Sequence, residues 1–153
     1  MKKNTFLLLM SLLLALSTFA RREPFQGAFY NKECRIRMEL NLYDTLLVVP
    51  DYEFLGKTNG YIRGDLHEVW FLTTYKIEKG CAIVHFTNEM GADTQELILT
   101  PLDSLHLQCE VQGSNYLRKL ENRKWVKLPQ KMVFLRIVSP PKSQPVPQRF
   151  RKY

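Results

Sequence analysis

The chain predicts an all-β domain: a single small antiparallel meander closing into a barrel or half-barrel, with a two-sheet β-sandwich as the alternative. Three observations carry this. From Cys34 onward apolar and polar residues alternate with period two, while helical periodicity is hard to find. About nine short apolar runs recur at spacings of roughly 10 to 12 residues, separated by loops of hairpin length. These gaps leave no room for the crossover helices a parallel sheet requires.

The clearest strand is 34–42, where Ile36, Met38, Leu40 and Leu42 fall on one face and Arg35, Arg37, Glu39 and Asn41 on the other. Tyr43-Asp44 permits a tight reversal into a strand over 45–49, which Pro50 ends because it has no N–H to donate. Residues 51–59 read as irregular, with Gly56 and the Asn59-Gly60 pair supplying positive-φ turn positions. A short strand follows over 61–66. The run 69–77, rich in aromatic and β-branched residues with apolar groups at both parities near its start, reads as a central strand buried on both sides there. Lys79-Gly80 turns the chain into 81–87, which forms a hairpin with 94–100 across the loop 88–93. Turn residues at 101–104 precede the alternating 105–111, and strands over 115–120, 125–128 and 132–138 complete the series. Closure removes exposed edges, which favours the barrel. Its outline is lipocalin-like in architecture alone, since no Gly-x-Trp signature stands near the first strand.

Residues 1–20 carry an address. Met1-Lys2-Lys3 forms a cationic head, Phe6 to Leu16 an apolar run too short to cross a bilayer of roughly 30 Å, and Thr18-Phe19-Ala20 a small-residue cleavage site. These predict a Sec-type signal peptide, a mature chain starting at Arg21, a periplasmic or secreted location, and no stable membrane span after cleavage. A lipid anchor needs a cysteine at the cleavage point, and the first is Cys34. The organisation expected is therefore a leader over 1–20, an all-β domain over 21–138 and a flexible Pro-rich basic tail over 139–153.

The formal net charge of +7 belongs mainly to the ends. Lys2 and Lys3 sit in the leader, and Lys142, Arg149, Arg151 and Lys152 in the tail, leaving sixteen basic and fifteen acidic side chains in the body. That balance argues against a folded nucleic-acid-binding face. Three cysteines in an exported chain permit at most one intramolecular disulfide. Cys81 with Cys109 is the pairing expected if one forms, although the alternation of Cys109 with Leu105, Leu107 and Val111 equally suits a small buried hydrophobe.

No catalytic motif is visible. The chain lacks Gly-x-Ser-x-Gly, a phosphate-binding Gly-Lys-Ser/Thr loop and Gly-x-Gly-x-x-Gly, so neither a serine hydrolase nor a nucleotide enzyme is expected, and no cofactor. His67, His85 and His106 lack metal-ligand spacing, although neighbouring strands would let His85 and His106 approach, with Cys81 or Glu110, as zinc ligands. Aromatic residues are the most suggestive group. Tyr61, Trp70, Phe71, Tyr75, Tyr116 and Trp125 fall within or beside strands and could line a barrel mouth or stack on sugars, with core packing as the competing role; Tyr61, Trp70, Tyr75 and Trp125 are the candidate ligand contacts. The loops 51–59 and 88–93 would set specificity, and truncating Trp70 would cost ligand before it cost fold. The expectation is an exported, non-enzymatic binding or interaction module for an unknown small ligand or envelope partner. The alternatives are a small outer-membrane β-barrel and a small secreted carboxylate-dependent hydrolase.

Overall fold

The computed structural model describes residues 22–138; the expected leader and tail lie outside the described residues. Twelve strands are present: β1 (Gln26–Asn31), β2 (Ile36–Asn41), β3 (Leu47–Val48), β4 (Lys57–Thr58), β5 (Gly60–Gly64), β6 (Trp70–Glu78), β7 (Cys81–Asn88), β8 (Thr94–Pro101), β9 (His106–Gln112), β10 (Arg118–Glu121), β11 (Lys124–Lys127) and β12 (Lys131–Ile137). A 3-10 turn spans Glu53–Leu55. Eight strands form a closed antiparallel barrel in the order β1-β12-β9-β8-β7-β6-β5-β2, so the meander closes as a barrel and not as a sandwich. Two small hairpins, β3-β4 and β10-β11, are inserted into the meander and stand outside it.

Alternation sets the inside. Ile36, Met38 and Leu40 of β2 are buried while Arg37 is exposed, as the sequence pattern requires. The same parity drives Val84 and Phe86 of β7, Leu97 and Leu99 of β8, Leu107 and Cys109 of β9, and Phe134 of β12 inward, each at most 1% exposed. One apolar cluster therefore fills the barrel from wall to wall. The outer wall carries Arg37, Lys76, His85, Glu96, Glu110 and Lys131. Tyr30, Tyr75, Ile77, Val133 and Leu135 are exposed among them, so the wall is mixed, while the filled apolar interior is unlike the polar lumen of a membrane barrel. Among the described residues no helix is long and apolar enough to cross a membrane.

Several elements depart from expectation, each for a local reason. The strand expected over 45–49 shrinks to Leu47–Val48, which pairs with Lys57–Thr58 instead of joining the barrel. The segment 69–77 is not buried on both sides. It pairs with β5 only at Tyr61↔Phe71 and Ile62↔Trp70, its register slips between Leu72 and Thr74, and from Thr73 to Glu78 it is exposed. Gly60 does not take the positive φ expected of a turn; it lies in β5, where a Cβ would come within 2.9 Å of the Glu39 carbonyl oxygen. Lys79 (φ 51°) and Gly80 (φ 77°) do form the tight reversal expected between β6 and β7.

Topology gives the barrel two unlike ends. At one, β12 finishes beside the start of β1, and the β8–β9 turn and the β2–β5 excursion also lie there. Arg136 closes this end. Buried at 8% exposure, it donates through Nε to Ser104 O (3.0 Å), through Nη2 to Glu23 O (3.2 Å) and Pro24 O (3.1 Å), and through Nη1 to Gln26 O. Its guanidinium lies 4.6 Å above the Phe29 ring. At the other end the β10-β11 hairpin folds back, held by Asn115, whose amide donates to Leu128 O (2.7 Å) and accepts from Leu117 N (3.1 Å).

Candidate binding groove

A filled interior moves the question of function to the outer wall. The excursion between β2 and β5 leaves one end of the barrel, and the β7–β8 loop leaves the other. Both come to lie against the outer face of β6, where Phe71 points away from the core between the inward Trp70 and Leu72. Thr58 fixes one side by donating its hydroxyl to Leu72 O (2.9 Å). Asn88 fixes the other, its side-chain oxygen accepting from the N–H groups of Ala92 (2.9 Å) and Asp93 (3.2 Å). The Tyr52 hydroxyl spans the gap and donates to the Glu89 carboxylate. That bond is the main reason the Tyr52 hydroxyl titrates above its ordinary value.

The result is a groove of about 400 Å³ lined by Val49, Leu55, Thr58, Phe71, Thr87 and Met90, among others. Tyr52 packs edge-on against Phe71 with ring centroids 5.4 Å apart, and Phe54 lies 6.1 Å from Tyr52. Val49 is a buried lining residue, Met90 stands 76% exposed at the rim, and Phe54, 79% exposed, lies just outside against Tyr52. Phe54 and Met90 are the most exposed large apolar side chains among the described residues, which makes them unspent binding surface. A larger hollow, about 640 Å³, runs along the β1–β12 seam, where only the β1–β2 turn overhangs strand residues and no second loop meets it from the opposite end.

The residues singled out in the sequence do not converge. Trp70 is core, so its truncation would open a cavity in the barrel and cost fold at once, which corrects the expected order of losses; only one edge of its ring reaches a pocket, and that pocket is not the groove. Tyr61 points outward but is buried, its hydroxyl donating to Glu39 (2.7 Å); burial and that carboxylate push it up to about 12. Tyr75 is exposed on the part of β6 that has left β5, where it pairs only with Val84 of β7. Trp125 is half exposed on β11 and stacks on His67 with centroids 4.3 Å apart. The loops 51–59 and 88–93 do come together, and they form the groove. Tyr52, Phe54, Leu55 and Met90 were not singled out, because apolar residues in an irregular segment show no periodicity. Their signal was the presence of exposed-loop aromatics where a solvated loop would be polar.

The cysteine and histidine expectations are also corrected. Cys34, Cys81 and Cys109 are free thiols. Cys81 faces outward toward Thr100, whereas Cys109 is inward and opposite Leu99, so β8 separates them and no bridge can form. Burial pushes the Cys109 thiol up to about 12, as befits a packing residue. His85 and His106 are not on neighbouring strands, since β8 again intervenes. His85 pairs with Glu96 (2.8 Å) and His106 with Asp103 (2.8 Å). Among the described residues no three His, Cys, Asp or Glu side chains converge as metal ligands would. Compared with protein-family models, curated proteins and solved structures, the chain matches none.

Proposed function

We propose that this protein is an exported, non-enzymatic binding module that takes an apolar ligand or partner side chain in the groove on its outer wall. The reading rests on one observation: two loops from opposite ends of a filled barrel meet around an apolar cleft and are clasped by Tyr52 and Glu89. Strands fix the cleft's floor, so binding there costs little reorganisation, and the exposed Phe54, Leu55 and Met90 gain by leaving water. The membrane-barrel alternative is disfavoured by an interior filled with apolar side chains, which leaves no polar lumen.

Titration with the apolar fluorophore 1-anilinonaphthalene-8-sulfonate tests the groove. Saturable binding is expected, weakened roughly tenfold or more in Leu55→Glu and Met90→Glu, with unchanged thermal midpoints because both side chains are exposed. Binding as tight in both variants as in the parent overturns the assignment. Export is tested on the protein recovered from cells: an N-terminus at Arg21 is expected, and an intact leader overturns it.

A further inference from the structure

A second, polar pocket lies at the hairpin end of the barrel, and it shares no lining residue with the groove. It has a volume of about 250 Å³ and is lined by His67, Glu68, Trp70, Asp93, Tyr116 and Arg118. Buried amides set its walls. Asn88 donates to the Glu68 carboxylate (2.6 Å) and, through its side-chain oxygen, fixes the backbone of Asp93. Gln95 accepts from the N–H of Tyr116 (2.8 Å). The N–H of His67 donates to Arg118 O (2.9 Å), and the His67 ring is braced by Trp125. The backbone around the pocket and the Glu68 carboxylate are thus held in place before any ligand arrives.

Its functional groups are largely uncommitted. Among the described residues neither the Asp93 carboxylate nor the Arg118 guanidinium has a side-chain partner, and the two make no ion pair with each other. The Trp70 indole N–H has no acceptor either, yet no buried side-chain nitrogen or oxygen is left without one, so that N–H is open to solvent. One small space thus offers two carboxylates, a planar five-donor cation, an indole donor, a phenol and an imidazole. A simple anion would use Arg118 and be repelled by Glu68 and Asp93; a simple cation would meet the converse. A polyhydroxylated ring satisfies both signs, because each hydroxyl donates to a carboxylate and accepts from a guanidinium or indole N–H, while its C–H face rests on an aromatic ring.

We propose that this pocket binds a single sugar ring of a saccharide. The claim is independent of the groove. Its chain supplies the reporter, since the only two tryptophans are Trp70, in the pocket wall, and Trp125, behind His67. Intrinsic tryptophan fluorescence of the full chain is titrated with methyl hexosides and short oligosaccharides. A saturable change is expected for at least one sugar, with a monosaccharide Kd on the order of 1 mM. Arg118→Gln and Asp93→Asn should each weaken it at least about tenfold while the thermal midpoint stays put, and Leu55→Glu in the groove should leave it unchanged. Linear, unsaturated responses to every sugar overturn the proposal. So does saturation by inorganic phosphate or ethanolamine in place of sugar, and so does a sugar response that survives both pocket variants.

Discussion

The two ends of the barrel solve the same problem with different chemistry. Each must satisfy backbone groups where strands stop and loops cross a filled core. One end uses a charge: a single guanidinium serves the carbonyls of Glu23, Pro24, Gln26 and Ser104 at once. The other uses neutral amides alone, with Asn31, Asn88, Gln95 and Asn115 each buried and bonded to its own stretch of loop backbone, whereas at the first end Asn41 caps Tyr43 and Asp44 beside the shared charge. A charge that many acceptors share closes its end tightly but fails as a unit. Separate amides fail one at a time, and they hold distinct loops at fixed positions without using up the ionised groups beside them. This explains why open polar groups collect around the hairpin end and not around Arg136.

The contrast is broken most directly at Arg136. Burial lowers its affinity for the proton, and among the described residues no carboxylate pairs with it; carbonyl dipoles and the Phe29 ring compensate it. Arg136→Met keeps most of the stem volume but strands four carbonyls, and should cost about 3–5 kcal/mol in chemical denaturation. Gly27 reports the same packing, since a Cβ there would lie 2.9 Å from Nη1. A loss below about 1 kcal/mol would show that water replaces the guanidinium and that the end is not closed by it. Asn115→Ala should cost less, about 1–3 kcal/mol, because it frees only Leu128 O and Leu117 N. Its local signature is faster amide exchange at Leu117 and Leu128 with β7 and β8 unaffected. Equal losses from the two substitutions would erase the difference between the ends.

The interior was legible because alternation encodes it residue by residue: Ile36, Met38 and Leu40 face inward as their spacing requires. Closure was legible in kind, from strand count and loop length, but its seams were not, since pairing between β1 and β12 joins segments about a hundred residues apart. Arg136 could not be read as an inward residue, because an arginine in an alternating run ordinarily marks a wet position; its parity with Met132 and Phe134 was the signal. The groove was half legible. Its two loops stood out by composition, but only their meeting over Phe71 makes them one site, and sequence gives no distance between loops from opposite ends. Aromatic content misled at Trp70, where ring size serves packing.

The smallest expected effect lies on the same turn that Arg136 grips. Arg136 holds the β8–β9 turn from the barrel side, through Ser104 O and through its own N–H to Leu105 O (2.7 Å). Asp103 holds it from the solvent side, accepting from the N–H groups of Leu105 and His106, both at 2.7 Å, and from the His106 ring. The Leu105 N–H above all, then His106, lower the Asp103 carboxyl below its ordinary value of 3.8. A carboxyl lowered on folding contributes stability above the unfolded pKa and loses it as pH falls through the folded one. Asp103→Asn should therefore match the parent below that range and be slightly less stable above it, so the two stability curves converge in acid. Because Asp103 is fully exposed, the gap should shrink further in high salt. A gap that persists unchanged into acid would assign the effect to the geometry of the turn, which Arg136 alone would then be holding.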